Sequence, residues 1–166
     1  MEPTDFIQEY LPALDLLARY DEGELNAPKG RPATWELTYE DALAFIQSLP
    51  FYETSGLFGR ERDGSFEGIV RGLYQSFAGF ELYPSLQAKA ANLLYQVVKD
   101  HPFYDGNKRC AAALFVYFLE RNGALGSGDR RFAPNTLAAT TLLVALSAPA
   151  EKDVMVSLVQ HLLELP

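Results

Sequence analysis

Cys110 to Leu119 is a run of ten residues without a charge, a glycine or a proline. Read as a helix it is apolar on every side, so it has to be enclosed by other elements of a folded core. The rest of the chain offers helices for that purpose. Phe6, Ile7, Tyr10, Leu11, Leu14, Leu17 and Ala18 recur at helical spacing. Pro12 kinks that segment or restarts the helix there. A linker-like stretch, residues 22–34, carries Pro28, Gly30 and Pro32. Thr38 with Asp41 resembles a capping box and opens a helix from Tyr39 to Leu49, stopped by Pro50. Ser65 caps another helix, with Phe66, Ile69, Val70, Leu73, Tyr74 and Phe77 on its apolar face and Gly79 at its end. Pro84 sits in the first turn of the next helix. Its buried stripe is Leu86, Ala90, Leu93, Leu94, Val97 and Val98, and it ends near Lys99-Asp100. The helix containing the apolar run continues to Glu120 and is closed by Asn122-Gly123 in a left-handed cap. A glycine-rich loop from Gly123 to Arg131 precedes two last helices, Asn135 to Leu146 and Glu151 to Leu163. The expected class is all-α, and the irregular stretch 51–65 reads as a surface loop or a small β-hairpin.

Charge and cysteine content narrow the function. The formal net charge of −8 disfavours non-specific binding to nucleic acid or to an anionic membrane. Phosphate binding therefore has to come from a local site. Cys110 is the one cysteine, so no intrachain disulfide forms, and its apolar neighbours predict a buried, inert thiol. Two histidines and one cysteine, without ligand spacing, speak against zinc. The longest apolar run is half of the ~20 residues that span a bilayer. The acidic N-terminus lacks a signal peptide's basic start. A soluble protein of a reducing cytoplasm is expected.

The chemistry is concentrated in His101-Pro102-Phe103-Tyr104-Asp105-Gly106-Asn107-Lys108-Arg109, the loop that feeds the apolar helix. The first turn of a helix presents unpaired N–H groups and favours anions. His101 reads as a general base, or as a helix-terminal histidine favoured by the dipole. Phe103 reads as a structural anchor that fixes the loop to the core. Asp105 is a turn residue or, beside an anion site, a Mg²⁺ ligand, since that ion takes one or two carboxylates plus substrate phosphates. Gly106 allows a left-handed turn that lets N–H groups converge. Asn107 can cap the helix and touch phosphate. Lys108 and Arg109 stand in the first turn, where the dipole disfavours cations, and this points to anionic company or to a solvated charge pair. His161, near the end of the chain, reads as structural. Arg60 and Arg62 read as solvated surface charges.

This loop resembles the signature of the Fic/Doc (Fido) family, His-Pro-Phe-x-Asp/Glu-Gly-Asn-Gly/Lys-Arg, with every defined position filled. Glu81 to Pro84 with Lys89 to Leu94, and Phe118 to Gly123, are similar to the helices on either side of it in Doc-like proteins. The resemblance reaches from about Thr38 to Leu165, which divides the chain into an N-terminal helix and linker, 1–35, and a Fido domain, 36–166. It implies a compact helical bundle with a small β-hairpin flap that docks the target. With the flap placed in 51–65, Gly56 to Arg62 would pair in extended form with a target segment. The resemblance also implies roles: His101 deprotonates a target hydroxyl, Asp105 holds Mg²⁺, and Gly106, Asn107 and Lys108 line the anion hole. Arg109 would clamp a nucleotide phosphate, with ATP or another nucleoside triphosphate as co-substrate.

Lys108 makes the chain similar to the Doc branch, in which the nucleotide lies reversed and the γ-phosphate moves to a protein. The target implied there is a translation factor, elongation factor Tu. Pro102 and Gly106 are Fic-like, so protein adenylyltransfer (AMPylation) stands as the alternative, and a non-catalytic binding or regulatory module as the second. The inhibitory pattern Ser/Thr-x-x-x-Glu-Gly/Asn is not matched. Ser147 to Glu151 has its spacing, but Pro149 interrupts it. A separate antitoxin or an upstream regulatory domain is therefore expected as a partner.

Overall fold

A computed structural model describes residues 2, 4–128 and 132–164. Arg131, the end of the expected glycine-rich loop, and Leu165, the far limit of the family resemblance, lie outside the described residues. A 3-10 segment, Asp5–Tyr10, runs into α1 (Leu11–Asp21), and Pro12 falls in the first turn of α1, so the helix restarts there. Then come α2 (Tyr39–Ser48), α3 (Pro50–Thr54) and α4 (Ser65–Gly72). Two short strands, β1 (Ser76–Phe77) and β2 (Phe80–Glu81), are followed by α5 (Leu86–Asp100), α6 (Asn107–Arg121), α7 (Pro134–Leu146) and α8 (Lys152–Glu164). The fold is all-α with one small antiparallel hairpin. No described helix is long and apolar enough to cross a membrane.

The most enclosed helix is α5, not the motif helix. Twelve of its fifteen residues are buried, against six of fifteen in α6. Helices α4, α6, α7 and α8 all pack on α5. Ser85 starts it, its Oγ accepting from the Ala88 N–H at 2.9 Å, so Pro84 precedes the helix and is not in its first turn. Lys89, buried on α5, donates to Glu81 Oε1 at 3.1 Å and to the Tyr83 carbonyl at 2.5 Å. That pairing compensates the buried ammonium and ties the hairpin strand to the helix.

Local signals set several boundaries. Thr38 Oγ1 accepts from the Asp41 N–H at 3.0 Å and caps α2. Gly123 takes the left-handed conformation after α6, with φ of 66°. Asn122 does more than end a helix. Its Oδ1 accepts from the N–H groups of Thr34 and Trp35, both at 2.9 Å, while its Nδ2 donates to the Phe118 carbonyl at 2.9 Å. The linker is thereby fastened to the end of α6. It is fastened again where His161 Nε2 meets the Asn26 carbonyl oxygen at 2.6 Å, which gives that histidine a structural place.

Several expectations are corrected. Residues 51–65 hold no hairpin: α3 occupies the first part, and a loop follows. The hairpin is 76–81, with Ser76 opposite Glu81 and Phe77 opposite Phe80. The helix expected to run to Phe77 stops at Gly72, and the turn at Ala78 and Gly79, both at positive φ, reverses the chain. At the start of α4 the cap position is Gly64, and the Asp63 carboxylate accepts from the Ser65 N–H at 3.1 Å. The Ser65 hydroxyl oxygen is buried and has no partner among the described residues. On α1 only Leu16 is buried. Phe6, Tyr10, Leu11, Leu14 and Leu17 stand exposed, so the apolar periodicity there marks a helix but not a core face.

Candidate active site

The motif loop joins the C-terminus of α5 to the N-terminus of α6. His101 is the residue that ends α5, in the left-handed region at φ 49° and ψ 58°. A non-glycine residue there carries strain of order 1 kcal/mol or more, sustained only where the surroundings fix it. Pro102 prevents the helix from continuing and turns the chain toward the core.

The loop is held from below by residues 58–62. The Arg62 N–H donates to the Pro102 carbonyl at 2.9 Å, the Tyr104 N–H to the Arg60 carbonyl at 3.0 Å, and the Gly59 N–H to the Asp105 carbonyl at 3.1 Å. Bridges join Glu61 with Phe103 and Phe58 with Asp105. The stretch expected to pair with a target therefore spends these backbone groups on the motif loop itself. In the same layer the Tyr39 hydroxyl donates to Glu61 Oε2 at 2.5 Å. That bond, with burial adding to it, raises the Tyr39 phenol to about 12.

Three motif residues turn inward. Phe103 is 1% exposed and its ring lies 4.8 Å from that of Phe66. Gly106 has φ of 81°, and a Cβ there would lie 2.2 Å from Phe58 Cδ2. Only glycine fits, on both counts. Asn107 is the first residue of α6, with Gly106 in the cap position. Its Oδ1 accepts from the Phe103 N–H and its Nδ2 donates to the Phe103 carbonyl, both at 2.9 Å. The side chain expected to cap the helix or touch phosphate is thus committed to folding the loop. The Asn107 N–H remains among the first-turn groups that α-helix geometry leaves unpaired, with those of Lys108 and Arg109.

The outward residues fall into two groups. Asp105 Oδ2 and Arg109 Nη2 are 3.5 Å apart, in a pair about half exposed. The Arg109 guanidinium carbon lies 4.9 Å from the Phe51 ring centroid and 4.7 Å from that of Phe58, so two aromatic faces orient it. His101 and Lys108 instead line a cavity of about 690 Å³ between the motif loop and the junction of α7 with α8. Asp105 and Arg109 do not line it, so the four groups share the head of α6 without sharing one cavity. The roles of Phe51 and Phe58 were not visible in sequence, because an aromatic residue some fifty positions upstream carries no local sign of an arginine partner. Arg60 is exposed as expected, though its guanidinium also stacks on the Tyr52 ring at 4.0 Å.

The donor set bears on metal binding. Among the described residues no group of three or more His, Cys, Asp or Glu side chains could cage a metal ion. A single half-exposed carboxylate at the head of a helix does suit Mg²⁺, which keeps several waters and relies on substrate phosphates.

A family comparison carries this site further. Residues 36–119 match the model of the Fic/DOC family. The chain belongs to that family. The match ends at Leu119, short of the reach to Leu165 expected from the motif's neighbourhood. The chain is 31% identical over 96 residues to the protein kinase doc of Escherichia phage P1, an alignment covering 58% of this chain and 75% of that one. It is 43% identical over 51 residues to a toxin Doc of Mycolicibacterium smegmatis, covering 31% of this chain and 39% of the toxin. No solved structure matches the chain.

Proposed function

We propose that this Fic/DOC protein is a Doc-like protein kinase toxin, moving the γ-phosphoryl group of ATP to a hydroxyl of a target protein in the cytoplasm. The observation that carries the reading is Lys108. It stands in the first turn of α6 beside the unpaired N–H groups and faces the cavity that His101 also lines. The similar proteins named protein kinase doc and toxin Doc favour the same reading. In this mechanism the target hydroxyl oxygen attacks the γ-phosphorus and its proton passes to the His101 imidazole. The bond to the bridging oxygen breaks and ADP leaves. The N–H groups of Asn107, Lys108 and Arg109 stabilise the transferring phosphoryl group, and Arg109 clamps the phosphate chain from its aromatic seat. Asp105 would hold Mg²⁺ that arrives with the nucleotide and offsets phosphate charge. The target class is a translation factor, with elongation factor Tu as the first candidate, and a separate antitoxin restrains the activity.

AMP transfer is the second reading, favoured by Pro102 and Gly106. The clash that a Cβ at 106 would make with Phe58 accounts for the glycine through packing alone, which lowers its weight. ATP labelled at either the α- or the γ-phosphate, incubated with a cell lysate, separates the two. Label retained on protein from the γ position is expected. Retention from the α position would replace the kinase reading with adenylyltransfer. Soluble, ATP-binding protein that transfers neither label and leaves growth unharmed would indicate a non-catalytic module.

A further inference from the structure

The cavity next to His101 collects cations to an unusual degree for so acidic a chain. The protein has five lysines against 22 carboxylates, and three of the five, Lys99, Lys108 and Lys152, line this one cavity. Asp100 is the one carboxylate among its lining residues. Lys99 is partly committed, since its Nζ donates to the carbonyls of Ala145 at 3.2 Å and Ser147 at 2.5 Å, at the C-terminus of α7. Lys108 and Lys152 are in no ion pair among the described residues. The adjacent carboxylates form no ion pair with Lys152 among the described residues: Glu151 Oε1 accepts from the Ala148 N–H at 2.7 Å, and Asp153 does not line the cavity. The Lys152 ammonium is instead steadied over the Tyr95 ring, 5.6 Å from its centroid. Like charges converging on one concavity cost energy unless an anion joins them.

We infer that this cavity is a polyphosphate-binding extension of the site, in which Lys152 of α8 works with Lys108 to hold the part of a nucleoside triphosphate that reaches past the motif loop. Lys152 lies outside residues 36–119, so the family match does not supply it. The inference rests on the proposed function, because the same nucleotide spans the α6 N-terminus and the cavity. A volume of about 690 Å³ falls within the usual range of small-molecule sites. Lys152 is exposed and makes no hydrogen bond that the fold depends on among the described residues, so replacing it leaves the fold intact.

Titration calorimetry on the full chain tests this, with ATP and adenosine as probes and Lys29→Ala as a charge-matched control in the linker. Lys152→Ala is expected to weaken ATP binding about tenfold, the loss of one charge-assisted contact. Lys152→Arg is expected to retain most of the affinity. Adenosine binding and the Lys29→Ala variant should remain at wild-type level. Unchanged ATP affinity in Lys152→Ala overturns this inference while leaving the transferase reading in place. So does an equal loss in Lys29→Ala, or a parallel loss for adenosine. A wild-type chain that takes up no ATP overturns both.

Discussion

Phe103, Gly106 and Asn107 face into the molecule, while His101, Asp105, Lys108 and Arg109 face out of it, and the two sets alternate within nine residues. The inward set is fixed by buried rings and by a doubly bonded amide. The outward set is exposed, and Asp105 and Arg109 within it are held by a long ion pair and by aromatic faces. Chemistry needs reachable groups, and reachable groups on a short loop wander unless their neighbours are locked. The motif therefore divides into scaffold and reagent, and substitution should separate the two.

The largest effect is expected from an outward residue. His101→Ala should lower γ-phosphoryl transfer by between about a hundredfold and ten-thousandfold, with an unchanged thermal midpoint. A transfer rate near wild type would remove the histidine from the chemistry. Among inward residues, Gly106→Ala should cost roughly 3 kcal/mol or more, because positive φ and the Phe58 clash add. Denaturant unfolding reads this directly, and a stability loss under ~1 kcal/mol would mean that the loop can shift off Phe58. Asn107→Ala should cost about 2 kcal/mol by unpairing the Phe103 backbone groups. If it instead abolished nucleotide binding without loss of stability, Asn107 would belong with the outward set.

The smallest effect is an alkaline one, and it concerns the layer beneath the loop. The Tyr39 phenol, bonded to Glu61, and the Tyr74 phenol, half-buried while it accepts from the Leu37 N–H, are both raised to about 12 from an ordinary 10. The folded state thus keeps protons that the unfolded state releases, so stability is complete below pH 10 and falls as pH rises toward 12. Tyr74→Phe should flatten part of that decline in a series of unfolding curves. A steeper decline in the variant would assign it to other groups.

Helices were legible where the signal is local. Thr38 with Asp41 and Asn122 with Gly123 act at neighbouring residues, and both mark helix ends in the structure. The hairpin was not legible, because two-residue strands carry no periodicity, and Ala78-Gly79 reads equally as a helix stop or as a turn. The pairing of 58–62 with 102–105 spans some forty residues and has no footprint in either segment alone. Periodicity on α1 reports a repeat of apolar residues but not whether anything covers them. In the motif, the residue types pointed to an anion site, yet they could not show that the Asn107 amide is spent on Phe103. They also gave no sign that Lys108 faces a different space from Arg109.

The sole thiol lies one residue past the motif, in the first turn of α6, where burial pushes it up to about 12. Cys110 is therefore silent to disulfide reagents while the helix head stays seated, and its labelling rate becomes a clock for how often that head lifts. Bound nucleotide should slow the clock, which runs without any engineered probe.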